Sequence, residues 1–328
     1  MSPMVFTSKS SSLNLAQKAL IEQIGREWKA SLTTTAPLDP LAVESLVANA
    51  YLGIGLPRPA VILTVPSPFV ALIANLVLKE NLAKVIKSAC IPLDSAKLHP
   101  VANSFVDYLH GHPGSIQQQA YNWSREALSR NLDDVAFGSV SHQVALTDHH
   151  TYATIYADLI RQINQQTAKS LNPMATMASY QRFVREGSKP YSRVVWGGTY
   201  RSRRDGFYFL DTLMRLGLNN DPLAGALNDL ELARTSGGWH LFTQAAIVVA
   251  RPTDLVIGGS TFWGEAPHNP AGPAASWSDG FVAHAIFGHT VSPAAVSSPT
   301  DLKTAIMGLR GMNNRCKREV LVELGLTP

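Results

Sequence analysis

A run of twenty uncharged, mainly apolar residues, PAVILTVPSPFVALIANLVL at 59–78, limits most strongly what the protein can fold into. Twenty such residues are long enough to cross a bilayer as one helix. Pro66 and Pro68 interrupt the stretch, however, and a residue that precedes proline avoids the helical conformation. The stretch therefore predicts a buried strand from Ala60 to Val65, followed by a helix that begins at Ser67-Pro68, and no membrane span.

Helical periodicity dominates the chain on both sides of this unit. Apolar residues recur every four positions between 12 and 33, which predicts an amphipathic helix. Asp39 followed by Pro40 has the typical form of an N-cap, so we expect a second helix from there to about Gly53. Further helices are predicted at 116–130, 147–169, 205–216 and 221–233.

After Gly237-Gly238 the apolar pattern becomes that of short strands, at 246–250, 255–258 and 260–263. Asp279-Gly280 predicts a two-residue hairpin in which both residues have positive φ, between strands at 274–277 and 281–287. A helix is expected at 300–324.

These elements predict an α+β fold, in which a mainly helical N-terminal part precedes an antiparallel β-meander with hairpins and a closing C-terminal helix. The glycines and prolines between 170 and 200 indicate an internal boundary. We therefore expect a mainly helical region at 1–190 and an α+β region at 191–328, or one integrated domain of both.

Composition limits the function classes. The formal net charge of +4 comes without a run of Lys or Arg, so the sequence does not favour nucleic-acid binding. The two cysteines, Cys90 and Cys316, form neither a disulfide framework nor a metal-binding pair. The N-terminus also lacks the apolar segment of a signal peptide. These features predict a soluble cytoplasmic protein.

The familiar catalytic and cofactor motifs are not found. The sequence contains no dinucleotide-binding or P-loop glycine pattern, no zinc-protease motif and no nucleophile elbow. Histidines could still bind a metal ion. His149 and His150, however, are adjacent and point about 100° apart on a helix, so both cannot easily face one metal ion. We therefore expect neither a cofactor nor a metal.

Candidate reactive residues cluster around the stretch HNPAGPAASWSDGF at 268–281. If the strands bring them together, Asp279 could orient His268 for acid–base work and Arg251 could hold an anion. Alternatively, Asp279 caps its own turn and His268 satisfies the backbone of the following loop. Arg251 has no comparable turn role.

Three further residues lie where a ligand could bind. Ser67 at a strand-to-helix junction could face an anion, or act only as an N-cap. Trp196 and Trp239 each adjoin a pair of glycines, and such aromatic residues either line a cleft or pack in the core.

Several segments together resemble a bacterial family known as a domain of unknown function. They are AYLGIGLPRP, SPFVAL, GGWHLF, ARPTDL, HNPAGPAASWSDGF with FGHTV, and NNRCKREVLVELG. The resemblance implies no activity. It adds Asn313 and Arg318 to Ser67, Trp239, Arg251, His268 and Asp279 as site residues. His240 and Leu241 depart from the family pattern after GW.

The sequence therefore leaves two functions open. The first is a binding protein for an unknown protein or small-molecule partner. The second is a metal-independent enzyme for an anionic or peptide-like substrate, in which Arg251 or Arg318 holds the anion and His268 with Asp279 transfers protons. An enzyme requires His268 in a concave pocket beside another polar group, whereas a binding protein is compatible with His268 bonded into its own loop.

Overall fold

The computed structural model has an α+β fold with a helical N-terminal part and antiparallel hairpins in the C-terminal part. It describes residues 12–86, 91, 93, 119–120, 132–167, 171, 176–187, 203–217, 227–260, 264–309 and 312–326. Its N-terminal elements are α1 (Leu15–Thr33), α2 (Pro40–Gly53), β1 (Val61–Val65), α3 (Pro68–Val77), α4 (Leu132–Leu146), α5 (His149–Gln166) and α6 (Met177–Gly187). The helix α3 continues through a π-helical turn, Leu78–Leu82, and a short helical segment, Ala83–Val85.

The C-terminal elements begin with two helices and end with two helices. They are α7 (Arg203–Arg215), α8 (Leu227–Thr235), β2 (Gly238–Leu241), β3 (Ala245–Val249), β4 (Asp254–Leu255), β5 (Ile257–Ser260), β6 (Gly264–Pro267), β7 (Ala275–Ser276), β8 (Val282–Ala283), β9 (Ala285–Ile286), β10 (His289–Thr290), α9 (Pro299–Gly308) and α10 (Asn314–Glu323). A 3₁₀ turn, Pro293–Val296, precedes α9.

Two of the predicted helix N-caps are present in the structure, and a third N-cap shows that one predicted helix is in fact two. Asp39 accepts a hydrogen bond from Leu41 N, and Ser67 accepts one from Val70 N, each with proline at the first helical position. The predicted helix at 300–324 is wrong as a single element. Asn313 caps a new helix there, because its side chain accepts a hydrogen bond from Cys316 N. The prediction at 116–130 lies almost wholly outside the described residues.

A three-stranded sheet in the order β1-β3-β2 lies at the centre of the fold. β1 pairs in parallel with β3, and β2 pairs antiparallel with β3. The sheet thus joins a strand from the N-terminal part to two strands from the C-terminal part. Its parallel pair brings the carboxyl ends of β1 and β3 to the same edge, where Ala250 N donates to Val65 O at 2.8 Å.

Alternating side chains of the sheet belong to two separate apolar cores, because successive strand residues point to opposite faces. On β1, Val61, Leu63 and Val65 pack with α3, α4, α5 and α6, whereas Ile62 packs with α1, α2, α7 and α8. The residues of β3 alternate in the same way. Helices therefore cover both faces of the sheet, which explains the nearly continuous apolar strand sequences.

The edge of β1 is bonded by a side chain from α5. Gln166 donates from Nε2 to Ile62 O and accepts from Ile62 N at Oε1, both at 2.8 Å. The amide thus satisfies a backbone donor and acceptor that an edge strand leaves exposed. It also fixes α5 along β1, which places the N-terminal half of α5 beyond the carboxyl end of the strand.

The C-terminal strands form short antiparallel ladders rather than one continuous meander: β4-β7-β8, β5-β6 and β9-β10. The predicted two-residue loop at Asp279-Gly280 is wrong in its length. Trp277 N bonds Phe281 O, which leaves three residues in the loop, and only Gly280 has positive φ. A three-residue loop of this kind needs one left-handed residue, and glycine supplies it at no steric cost.

A two-residue loop does occur one hairpin later, at Phe287-Gly288 between β9 and β10. Both residues have positive φ, 44° and 73°, as the twist of a tight hairpin requires. The predicted single strand at 281–287 therefore ends early, and its expected alternation is lost. Phe281, Ala283, His284, Ala285, Ile286 and Phe287 are all buried.

The last elements surround a smaller core of their own, to which β9, the 3₁₀ turn, α9 and α10 contribute. In the described part of the chain, no helix combines the length and apolar character needed to cross a membrane.

Candidate functional site

A cavity of about 430 Å³ opens where β1 ends. Four elements enclose it: the turn from β1 into α3, one face of α5, a residue of α4 and the loop between β7 and β8. We call it the strand-end cleft. Its lining residues are Val65, Pro66, Phe69, Val70, Gln143, His150, Thr151, Thr154, Ile155, Asp158, Leu159, Gln162, Asp279 and Phe281.

Ser67 lies directly behind this lining and is fully buried. Its hydroxyl oxygen accepts from Val70 N at 3.2 Å, so it caps α3 as predicted. The same hydroxyl donates to Asp279 Oδ2 at 2.6 Å. Ser67 therefore connects the first turn of α3 to a loop that is 212 residues away in sequence.

Asp279 is exposed and lines the cleft. Its Oδ2 accepts from Ser67, while its Oδ1 accepts from Phe281 N at 3.1 Å and so caps the turn. A carboxylate has about four acceptor positions, so both oxygens retain capacity for a further donor. The negative charge also lies beside the N-terminus of α3, where the helix dipole stabilises it.

The hairpin that carries Asp279 is fixed to the carboxyl edge of the sheet at a second point. Trp277 donates from Nε1 to Ala250 O at 3.2 Å, just after β3. Phe281 stacks on Phe69 of α3, with ring centroids 6.3 Å apart and planes 13° apart. The cleft therefore has a rigid apolar floor between the hairpin and α3.

The opposite wall is the polar face of α5. Thr151, Thr154, Asp158 and Gln162 recur at helical spacing along it, and His150 lies at its N-terminal end. Asp158 is ion-paired with Arg161 at 2.7 Å, and both side chains are mostly in solvent. The lining thus contains two carboxylates and one histidine, and among the described residues that form it there is neither lysine nor arginine.

His268 lies elsewhere, in the loop that follows β6. Its Nδ1 accepts from Phe287 N at 3.2 Å, and its ring stacks on Phe287 with a centroid distance of 3.9 Å. Its backbone N donates to Val256 O at 3.0 Å. Burial lowers the pKa of the imidazole, which therefore stays neutral at neutral pH. His268 is thus bonded within its own group of hairpins and does not line the cleft.

Arg251 is also bonded locally and is almost fully buried. Its Nε donates to Thr235 O at 2.9 Å, and its Nη2 donates to Arg234 O. These are the last carbonyls of α8, where a positive charge is favourable to the helix dipole. Arg251 thus fixes the end of α8 against β3.

The structure separates the remaining predicted residues. Trp239 is buried in the core on the α1 side of the sheet. Asn313 caps α10, and the exposed Arg318 donates to Asn314 O at 3.3 Å within the same helix. Trp196 lies outside the described residues. Of the seven predicted positions that the structure describes, it brings together only Ser67 and Asp279 at the cleft.

Most of the lining was not predicted from the sequence. Gln143, Asp158 and Gln162 lie on helix faces whose polar pattern is the same for a cleft wall as for a solvated surface. Only the packing of α5 along β1, which is a tertiary contact, shows that this face of α5 borders a cavity.

Comparison of the chain with family models, with curated proteins and with solved structures finds no match. In the described ranges no group of three or more His, Cys, Asp or Glu residues has an arrangement that could hold a metal ion.

Proposed function

We propose that this chain is a cytoplasmic, soluble binding protein and that the strand-end cleft receives its ligand, a small organic molecule or a side chain of a partner. One observation carries this proposal: the cleft lies beyond the carboxyl ends of a parallel strand pair, next to the first turn of a helix. Ligands of open α/β sheets bind at that edge, because the loops there diverge and leave a crevice.

The construction of the cleft supports ligand binding further. Its volume of about 430 Å³ is in the range of small-molecule sites, which combine an apolar surface with a few polar groups. Phe69 and Phe281 provide the apolar floor, and Asp158 and Asp279 provide polar positions. Asp279 is held on two sides by Ser67 and Phe281, so it needs little ordering when a ligand binds.

Binding accounts for the placement of His268 better than proton transfer does. An acid–base pair requires the imidazole and the carboxylate within hydrogen-bond reach of one substrate. Here the imidazole Nδ1 accepts from Phe287 N, and both oxygens of Asp279 accept from groups in the cleft wall. Arg251 is bonded to the end of α8, so the proposed function assigns it no ligand.

The test is to fill the cleft without disturbing the core. Thr154 is exposed in the middle of α5, lines the cleft and donates to His150 O at 3.0 Å. Thr154→Trp places an indole in the cavity. Thr304→Trp is its matched control, because Thr304 is exposed in α9 and donates to Thr300 O at 2.9 Å in the same way. Ligand-observed NMR with a fragment set of amines, carboxylates, polyols and small aromatics measures binding to all three proteins.

We expect some fragments to bind both the wild-type protein and Thr304→Trp but not Thr154→Trp, because only Thr154→Trp occludes the cleft. Equal binding to all three proteins would place the ligand elsewhere. The absence of any binding fragment would remove the proposed function.

A further inference from the structure

We infer that the strand-end cleft selects a cationic ligand group, an alkylammonium or guanidinium on an apolar stem. This inference rests on the proposed function and names its ligand class. Three independent features lead to it: the charge of the lining, the positions of its acceptors and its length.

The charge of the lining is negative although the chain as a whole carries +4. Both carboxylates of the lining, Asp158 and Asp279, lie among apolar, hydroxyl and amide side chains and one imidazole, that of His150. Arg161 bonds Asp158 from outside the lining at 2.7 Å and is mostly exposed. An exposed pair of this kind contributes little and exchanges readily with another cation.

The acceptors of the cleft are better placed for a donor ligand than for an anion. The backbone N of Val70 and of Phe281, which could bind an anion, already donate to Ser67 and Asp279. The helix dipole of α3 is likewise complemented by the Asp279 carboxylate. An incoming anion would meet that carboxylate, whereas an ammonium or guanidinium group would form a charge-assisted hydrogen bond with it.

The length of the cleft favours a linear ligand. From Thr151 to Gln162 the lining face of α5 spans about 16 Å, at a rise of about 1.5 Å per residue. Along this length Ile155 and Leu159 alternate with the polar residues, and Phe69 and Val70 lie opposite. An extended hydrocarbon stem can contact these residues while its charged end meets a carboxylate. A free amine and a basic side chain of a peptide share this chemistry.

The experiment compares linear probes that differ only in charge. Cadaverine carries two ammonium groups, 1,5-pentanediol is its neutral analogue and glutarate its anionic one; N-acetyl-lysine amide represents a peptide side chain. Isothermal titration with the full chain measures the Kd of each. Asp158→Asn and Asp279→Asn each remove one charge from the cleft, and Glu22→Gln removes one exposed charge from α1 as a control.

We expect cadaverine or N-acetyl-lysine amide to bind, and each Asp→Asn variant to weaken that binding about tenfold, the loss of one charge-assisted hydrogen bond. Glu22→Gln should leave the Kd unchanged. Tighter binding of the amide than of cadaverine indicates a partner's side chain, and the reverse order indicates a free amine.

Three results would overturn the inference: preferred binding of glutarate or pentanediol, binding of neither cationic probe, or equal weakening by Glu22→Gln. Loss of fragment binding in Thr154→Trp would still support the proposed function in each case, so the two failures are distinguishable. Asp158 has no cap role, so Asp158→Asn tests the charge even if Asp279→Asn alters the turn.

Discussion

His268 and Asp279 lie eleven positions apart in one stretch rich in glycine and proline, and each accepts a hydrogen bond from a backbone N nearby. Their remaining contacts differ. His268 stacks on Phe287 and stays within the C-terminal hairpins, whereas Asp279 accepts from the buried hydroxyl of Ser67 at the edge of the central sheet. A turn residue therefore contributes to the cleft only when its side chain also contacts an element that is distant in sequence.

The largest change in the free energy of unfolding is expected for a substitution of His268. His268→Gln removes the ring that covers Phe287, the only non-glycine residue with positive φ among those described. We expect the free energy of unfolding to fall by about 2 kcal/mol in urea denaturation, with cadaverine binding unchanged. His150→Gln, at an exposed position, is the control and should cost less than about 0.5 kcal/mol. A stable His268→Gln variant would show that the loop does not depend on this ring.

A second prediction concerns the space beneath the same ring. A Cβ at Gly258 would lie 2.5 Å from His268 Cδ2, whereas a Cβ at the adjacent Gly259 would meet nothing within 4 Å. We expect Gly258→Ala to lower the free energy of unfolding by about 1–2 kcal/mol through overpacking, and Gly259→Ala to have little effect. We expect the stacking of His268 on Phe287 to prevent the ring from moving away from the new methyl group. Equal stability of the two variants would show that the ring can move.

A third prediction tests the long-range contact of Ser67. Ser298 is its close match, because it precedes a proline, caps α9 at 3.2 Å and donates to a carboxylate, Asp301, at 2.6 Å. The partner of Ser298 is three residues away in the same helix, whereas the partner of Ser67 is 212 residues away, in the loop between β7 and β8. In thermal and urea unfolding, Ser67→Ala should lower the free energy of unfolding by about 1 kcal/mol more than Ser298→Ala does. Equal costs would mean that the hairpin contact contributes nothing beyond the cap.

The smallest expected effect is the pH dependence. Burial lowers the pKa of His268 below its ordinary value of 6.5, and burial with the nearby His142 lowers that of His284. At pH values between the lowered pKa and 6.5, the unfolded chain binds more protons than the folded chain. The free energy of unfolding is therefore highest above pH 6.5 and falls as the pH decreases. We expect a lower free energy of unfolding at pH 5.5 than at pH 7.5, with a difference smaller than the changes predicted above. His268→Gln should reduce that loss, and an unchanged loss would contradict the assignment.

Sequence patterns were sufficient for the elements whose signals are local. The strand and helix of 59–78 and the caps at Asp39 and Ser67 follow from proline, capping residues and apolar periodicity, and the structure confirms them. The Phe287-Gly288 turn could not be predicted in this way, because phenylalanine normally avoids positive φ. Its conformation depends on contacts with His268, which lies nineteen residues earlier.

The cleft was predictable only in part, for a related reason. Ser67 and Asp279 were both candidates, each with a local role to explain it, but nothing in the sequence joined them. Their contact requires β1 to pair with β3 across 184 positions, from Val61 to Ala245. Asp158 lies on a helix face that any solvated helix could have, so its place in a cavity follows from the packing of α5 along β1 alone.

A pair of double-mutant cycles measures whether Ser67 is coupled to Asp279 and not to His268. Urea unfolding of Ser67→Ala, Asp279→Ala, His268→Ala and the two doubles that contain Ser67→Ala yields two coupling energies. We expect a coupling energy of about 1 kcal/mol between Ser67 and Asp279, and one that is zero within experimental error between Ser67 and His268. Additive effects for Ser67 with Asp279, or a coupling of Ser67 with His268 of similar size, would contradict this expectation.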